Sequence, residues 1–184
     1  MRQFLFFCLQ CLYLGLPGVF ANMAPVLARG HLEALNIPID FGQTFRGRPI
    51  FGSHKTVRGY VVGVPVAVAV TGFQALLYNI PAFRAVSLMD YAEEAFWWVG
   101  ITLGLGVLIG DSVKSFVKRQ LEVKPGAKFF PWDQLDSVAG YLLFLPLVWI
   151  PSPAIVIVSI FIALFIHLGT RRIGYWIGLN RSPW

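Results

Sequence analysis

The sequence predicts an all-α polytopic membrane protein with about five transmembrane helices, whose two larger polar loops form a site on one face of the membrane. Three observations lead there. Apolar residues make up 57% of the 184-residue chain and charged ones 13%, whereas soluble domains carry about a quarter charged residues. The apolar residues fall in runs near the ~20 residues that a helix needs to cross a bilayer, and mean hydropathy is +0.67. The cations collect between those runs, so the net charge of +6 reports which side each loop faces and not an affinity for nucleic acid.

Taken in order, 4–28 is a first span, interrupted by Pro17, Asn22 and Pro25. Val19-Phe20-Ala21 behind Arg2 has the look of a signal-peptidase site. The segment 29–59 is polar, with Gly, Pro and five cations. Residues 60–80 form a second span; Pro65 is tolerable inside a bundle. The stretch 81–94 reads as a short acidic loop, followed by an interfacial Phe96-Trp97-Trp98 belt. A third span, 95–116, reaches full length only if its helix continues into the polar stretch after Gly110. The apolar run from Val138 to Leu168 is too long for one ordinary span and contains Pro146, Pro151 and Pro153. It reads as two short helices, 138–150 and 153–168, turning at Pro151-Ser152-Pro153.

Charge orients this scheme. Five spans with the N-terminus outside and the C-terminus in the cytosol place the loops 29–59 and 117–137 and the Arg171, Arg172, Arg181 tail inside. Only Arg2 and Arg84 are left outside. Cleavage after Ala21, or a single span over the last run, would put more cations outside and conflicts with the positive-inside rule. The chain therefore reads as a multi-pass protein of the cytoplasmic membrane. With no internal repeat it reads as one domain, 1–184.

The chemistry is concentrated in Gly110–Ser137, which carries Lys114, Lys118, Arg119, Lys124 and Lys128 beside Asp111, Glu122, Asp133 and Asp136. On a continuing helix, Asp111, Ser115, Lys118 and Arg119 share a face. Asp133 and Asp136 are one turn apart. Carboxylates beside a row of cations suit a divalent metal with a polyphosphate, because hard oxygen ligands hold Mg²⁺ while Lys and Arg hold phosphate. A juxtamembrane basic loop touching anionic lipid is the other reading of the same charges. In the first loop, Gly52-Ser53-His54-Lys55-Thr56 lacks the spacing of a Walker A motif, yet a Gly-rich turn with Lys55, Thr56 and Arg58 can wrap phosphates. Asp40 binds a cation or a sugar hydroxyl, or caps a turn. Cys8 and Cys11 lack the further ligands of a zinc site and read as packed thiols. His31 and His54 read as solvated loop residues, and His167 as packed or interfacial.

Several of these motifs, in this order, resemble the CDP-archaeol synthases, short relatives of the CDP-diacylglycerol synthases. They are Asn22-x-x-Pro25, Pro38-Ile39-Asp40-x-Gly42, Gly52-x-x-Lys55-Thr56-x-Arg58-Gly59, Gly110-Asp111-Ser112-x-x-Ser115-Phe116-x-Lys118-Arg119, Pro125-Gly126 and Asp133-Gln134-Leu135-Asp136. Two positions depart from, or subdivide, the pattern: Ser53-His54 replaces an Asp-Gly pair, and Gln134 stands where the diacylglycerol branch tends to have Arg. The resemblance implies a reaction of CTP with a membrane glycerol-phosphate lipid, of archaetidic-acid ether type or phosphatidic-acid-like, giving a CDP-lipid and pyrophosphate with Mg²⁺. It implies Asp111, Asp133 and Asp136 as metal ligands, Lys118, Arg119, Lys55 and Arg58 as phosphate ligands, Thr56 within the nucleotide-binding turn, and Ser115 as a hydrogen-bonding partner. CDP-alcohol phosphotransferases would need an Asp-Gly-x-x-Ala-Arg motif that is absent here. A transporter would show ionisable groups deep within its spans, and a small transporter or scaffold without catalysis is the competing class.

Overall fold

The computed structural model describes residues 1–28, 30–124, 127 and 129–176. The expectations for Arg29, Pro125-Gly126, Lys128 and the chain beyond 176 lie outside the described residues. Helix α1 is Arg2–Leu27, α2 Val57–Leu77, α3 Pro81–Val86, α4 Phe96–Gln120, α5 Trp132–Phe144 and α6 Pro153–Trp176. Short 3₁₀ turns stand at Glu33–Leu35 and Leu145–Leu147, and the first loop holds a hairpin of β1 (Thr44–Phe45) and β2 (Arg48–Pro49). Among the described residues α1, α2 and α4 are long and apolar enough to cross a membrane, and the apolar part of α6 is Pro153–Gly169. The protein is a mostly helical, multi-pass membrane protein.

Several boundaries differ from those expected. The helix of the third span does run on past Asp111, and it ends only at Gln120, where Lys118 and Arg119 in the last turn complement the helix dipole. Helix α5 begins at Trp132, six residues before the expected 138, because Pro131 can precede but not continue a helix and the Asp133 carboxylate accepts the Phe129 N–H at 2.8 Å. Both Asp133 and Asp136 therefore stand on a helix and not in a loop. The acidic loop of 81–94 contains α3, started by Pro81, whose fixed φ suits a first helical position. The expected break at 151–153 is where the chain returns as α6.

Helix α4 is the organising element. Half of its apolar window is buried, against 28% for α1 and 22% for α2, and Val99, Leu103 and Val107 are at most 1% exposed. Its glycines explain how. A Cβ on Gly100 or Gly104 would lie 2.6 Å from Val68 Cα or 2.8 Å from Ala67 Cβ of α2; on Gly106 or Gly110 it would run into Tyr141 or Asp136 backbone atoms of α5. Gly140 returns the contact, with Gly106 O 2.1 Å from the position of its absent Cβ. Small residues spaced four apart let helices approach closely in lipid, where dispersion and close packing hold a bundle together. The spacing also sets the end of α4 directly beside the start of α5.

Candidate active site

The first loop is built around Asp40. Its carboxylate is 6% exposed and accepts backbone N–H bonds from Gly42 (3.0 Å), Phe51 (2.8 Å) and Gly52 (3.0 Å). Burial opposes its ionisation, but the three N–H donors outweigh that and hold its pKa below the ordinary carboxylate range. Asp40 thus serves the turn and not a cation or a sugar. Gly42 and Gly52, at φ +76° and +83°, supply backbone conformations that side-chain-bearing residues rarely adopt. Phe45 and Phe51 then pack on Phe116 of α4, with ring centroids 5.9 and 6.4 Å away. Arg48 binds the Gln120 carbonyl at the end of α4 and pairs with Glu122 at 2.5 Å.

Docked this way, the loop directs Lys55 onto Asp111, and the two form an ion pair. Around that pair the site assembles from α4 and α5. Lys114 Nζ lies 3.1 Å from Asp111, 2.5 Å from Asp136 and 3.7 Å from Asp133. Lys118 Nζ reaches Asp133 at 3.1 Å and the Ala127 carbonyl at 2.7 Å. The three aspartates expected to converge do converge, although the sequence separates Asp111 from Asp133 by more than two turns of helix and a loop. Burial pushes the Asp136 carboxyl above the usual range; Lys114 offsets only part of this, and Asp111 adds to it. At Asp133 the effect of burial is outweighed by the Phe129 N–H and by Lys118 and Lys114, so its carboxyl is held low.

The remaining expected residues are placed differently. Ser115 donates to the Asp111 carbonyl within α4 at 2.9 Å. Thr56 caps α2, its hydroxyl accepting the Gly59 N–H. A Cβ added to Gly52 would come 3.7 Å from Arg119 Cδ, so the Arg119 stem runs beside the first-loop turn. Arg58 turns to Glu33 at 2.8 Å and to the His31 carbonyl at 3.1 Å, and is not brought to the carboxylates. Lys114, at the centre of the cluster, was not among the expected site residues. Its position three residues after Asp111 was the available signal, since i, i+3 residues meet on a helix.

Two cavities meet at this cluster. One, of about 270 Å³, runs between α4 and α5 and is almost wholly apolar: Ile109, Val113, Val117, Ala139 and Leu143 line it, with Lys114 and Asp136 also on its wall. The other, of about 520 Å³, lies among α1, α4, α5 and α6. Asp111, Lys114, Asp133, Gln134, Asp136 and Ser137 contribute polar lining, and Leu16, Val19, Ile162 and Ile166 apolar lining. Gln134 Oε1 is buried on that wall without a hydrogen-bond partner among the described residues.

The family model described as CarS-like, CDP-archaeol synthase, matches residues 4–184. The chain belongs to the CDP-archaeol synthase family. A CDP-archaeol synthase of Pyrococcus furiosus is 34% identical over 178 residues, covering 96% of this chain and 98% of the relative. One of Methanosarcina mazei is 37% identical over 163 residues, covering 80% and 90%. Among solved structures, an intramembrane enzyme for archaeal membrane lipid biosynthesis superposes with a TM-score of 0.66 at 28% identity, over 86% of this chain and 90% of that one. The sequence motifs quoted above for the family are thus carried by a chain that matches its relatives nearly end to end.

Proposed function

We propose that this protein transfers the cytidylyl group of CTP to the phosphate of a membrane glycerol ether lipid, forming a CDP-activated lipid and pyrophosphate. The observation that carries the reading is the meeting of three carboxylates and three lysines at the junction of an apolar groove with a larger amphiphilic cavity. In that reaction an oxygen of the lipid phosphate attacks the α-phosphorus of the nucleotide. The bond from that phosphorus to the β-bridging oxygen breaks, and pyrophosphate leaves with the electron pair. No covalent enzyme intermediate is needed, so the protein's tasks are positioning and charge neutralisation.

The donor set fits Mg²⁺. Asp111, Asp133 and Asp136 offer hard oxygen ligands, and Gln134 of the same cavity's wall has a buried Oε1 with no hydrogen-bond partner among the described residues. Asp111, Asp133 and Asp136 would hold the ion, which when bound supplies charge stabilisation to the phosphates. Lys55, Lys118 and Arg119 contact nucleotide phosphates once the substrate is bound. Thr56 holds the turn that carries Lys55, Ser115 stiffens α4 beside Asp111, and Arg58 fixes the loop through Glu33. The apolar chains of the lipid lie in the groove between α4 and α5, open to the bilayer, with the phosphate at the Lys114 end. The chain acts as one domain with its N-terminus outside and both polar loops in the cytosol, where the nucleotide is. Purified protein in nanodiscs, given labelled CTP and a panel of ether- and ester-linked glycerol phosphates, tests this. Pyrophosphate release with an ether-lipid phosphate is the expected result, and no release with any member of the panel overturns it.

A further inference from the structure

Among the described residues, no group of three or more His, Cys, Asp or Glu is disposed to hold a metal ion as it stands. The reason is visible: the ammonium of Lys114 lies between the three carboxylates. With Lys55 on Asp111 and Lys118 on Asp133, three negative charges already face three positive ones. A divalent cation added to that arrangement would overcharge it by two. Without Lys114, however, the same carboxylates would repel each other across a half-buried site.

We propose that Lys114 is a placeholder cation: it holds Asp111, Asp133 and Asp136 together in the metal-free enzyme and leaves them when a divalent ion binds. The inference rests on the reading that these three carboxylates are the metal ligands. Two features beyond the acidic cluster support it. Gln134, on the wall of the same cavity, has a buried Oε1 with no hydrogen-bond partner among the described residues, an oxygen donor that Lys114 does not satisfy. Lys114 also lines both cavities, so its chain has space on either side of the α4–α5 contact into which the ammonium can move while remaining near an incoming phosphate. The lysine is thus a positioning residue that sets the metal affinity of the site.

The test is binding of Mn²⁺ alone, read by the electron paramagnetic resonance signal of the free ion, to the full-length protein in nanodiscs without nucleotide or lipid substrate. Lys114→Met should bind Mn²⁺ roughly tenfold or more tightly than the wild type, since the ion no longer has to displace an ammonium paired with the carboxylates. Lys114→Arg, which keeps the charge, should stay close to the wild type. In chelator, Lys114→Met should melt at a lower temperature than the wild type, and Mn²⁺ should restore more of the loss than it adds to the wild type. Lys114→Gln is the second variant and should behave as Lys114→Met does. Equal or weaker Mn²⁺ binding by Lys114→Met and Lys114→Gln, while Asp136→Asn loses binding, overturns the placeholder and leaves the metal site standing. Unchanged binding by Asp111→Asn, Asp133→Asn and Asp136→Asn removes the metal site itself, and the placeholder with it.

Discussion

Gly110 of α4 faces the carbonyl oxygen of Asp136 of α5 so closely that a methyl group on Gly110 would sit 2.3 Å from it. One turn of backbone therefore connects the packing of the bundle to its chemistry: Asp111 follows Gly110 in sequence, and the Asp136 carboxylate meets Asp111 through Lys114. Any residue larger than glycine at 110 must push α5 away.

Gly110→Ala accordingly should lower stability by about 1–3 kcal/mol, the usual range for an overpacked contact, and reduce turnover far more than that loss of folded protein explains. Gly169→Ala, where a Cβ meets nothing within 4 Å, should leave both unchanged or raise stability slightly. Thermal melting and pyrophosphate release measured on the same samples check this. Equal behaviour of the two variants would show that the α4–α5 approach is not needed.

Asp40 predicts a pH-sensitive loop. Its pKa is lowered in the folded state, so its contribution to stability is complete above the unfolded carboxylate value of about 3.9. That contribution is lost as pH falls through the lower folded value. Asp40→Asn keeps one acceptor oxygen and loses the charge, at a cost of about 1–3 kcal/mol to the loop. Backbone hydrogen exchange at Phe51 and Gly52 should be fast at neutral pH in the variant. In the wild type it should become fast only in strong acid.

The groove between α4 and α5 is predicted to hold lipid chains. Leu143→Trp narrows it two helical turns beyond Asp136, and should raise KM for the lipid phosphate several-fold while leaving KM for CTP within about twofold. Matching increases in both would move the lipid elsewhere.

Orientation is tested by labelling. A cysteine at Ser53 should react with an impermeant reagent only after the inner face is opened, whereas one at Arg84, stacked 4.9 Å over Tyr78 at the opposite end, should react in intact cells. The reverse pattern would invert the protein in the membrane.

Much of this was legible in the sequence because hydropathy and charge are local signals. The runs around α1, α2 and α4 announced themselves, and Pro151 with Pro153 marked the reversal into α6. The convergence of Asp111 with Asp133 and Asp136 was legible from the family motifs. What was not legible depends on contacts between elements. The i, i+3 spacing brings Lys114 to Asp111, but nothing local says that its ammonium would also meet Asp136 and Asp133, because that follows from the α4–α5 approach at Gly110 and Gly140. Arg58 looks like a phosphate ligand beside Lys55 until Glu33 is seen to claim it. Helix α5 began early because its polar first turn, with Asp133 and Asp136, does not resemble an apolar span, yet Pro131 and the Asp133–Phe129 bond start it there.

The claim that these carboxylates carry the reaction is tested most directly by measuring pyrophosphate release from CTP and an ether-lipid phosphate across a range of Mg²⁺ concentrations. Asp111→Asn, Asp133→Asn and Asp136→Asn keep the shape of each side chain and remove its charge. The account predicts that each either abolishes turnover or demands much higher Mg²⁺. Near-normal rates at an unchanged Mg²⁺ requirement in any two of the three would contradict it.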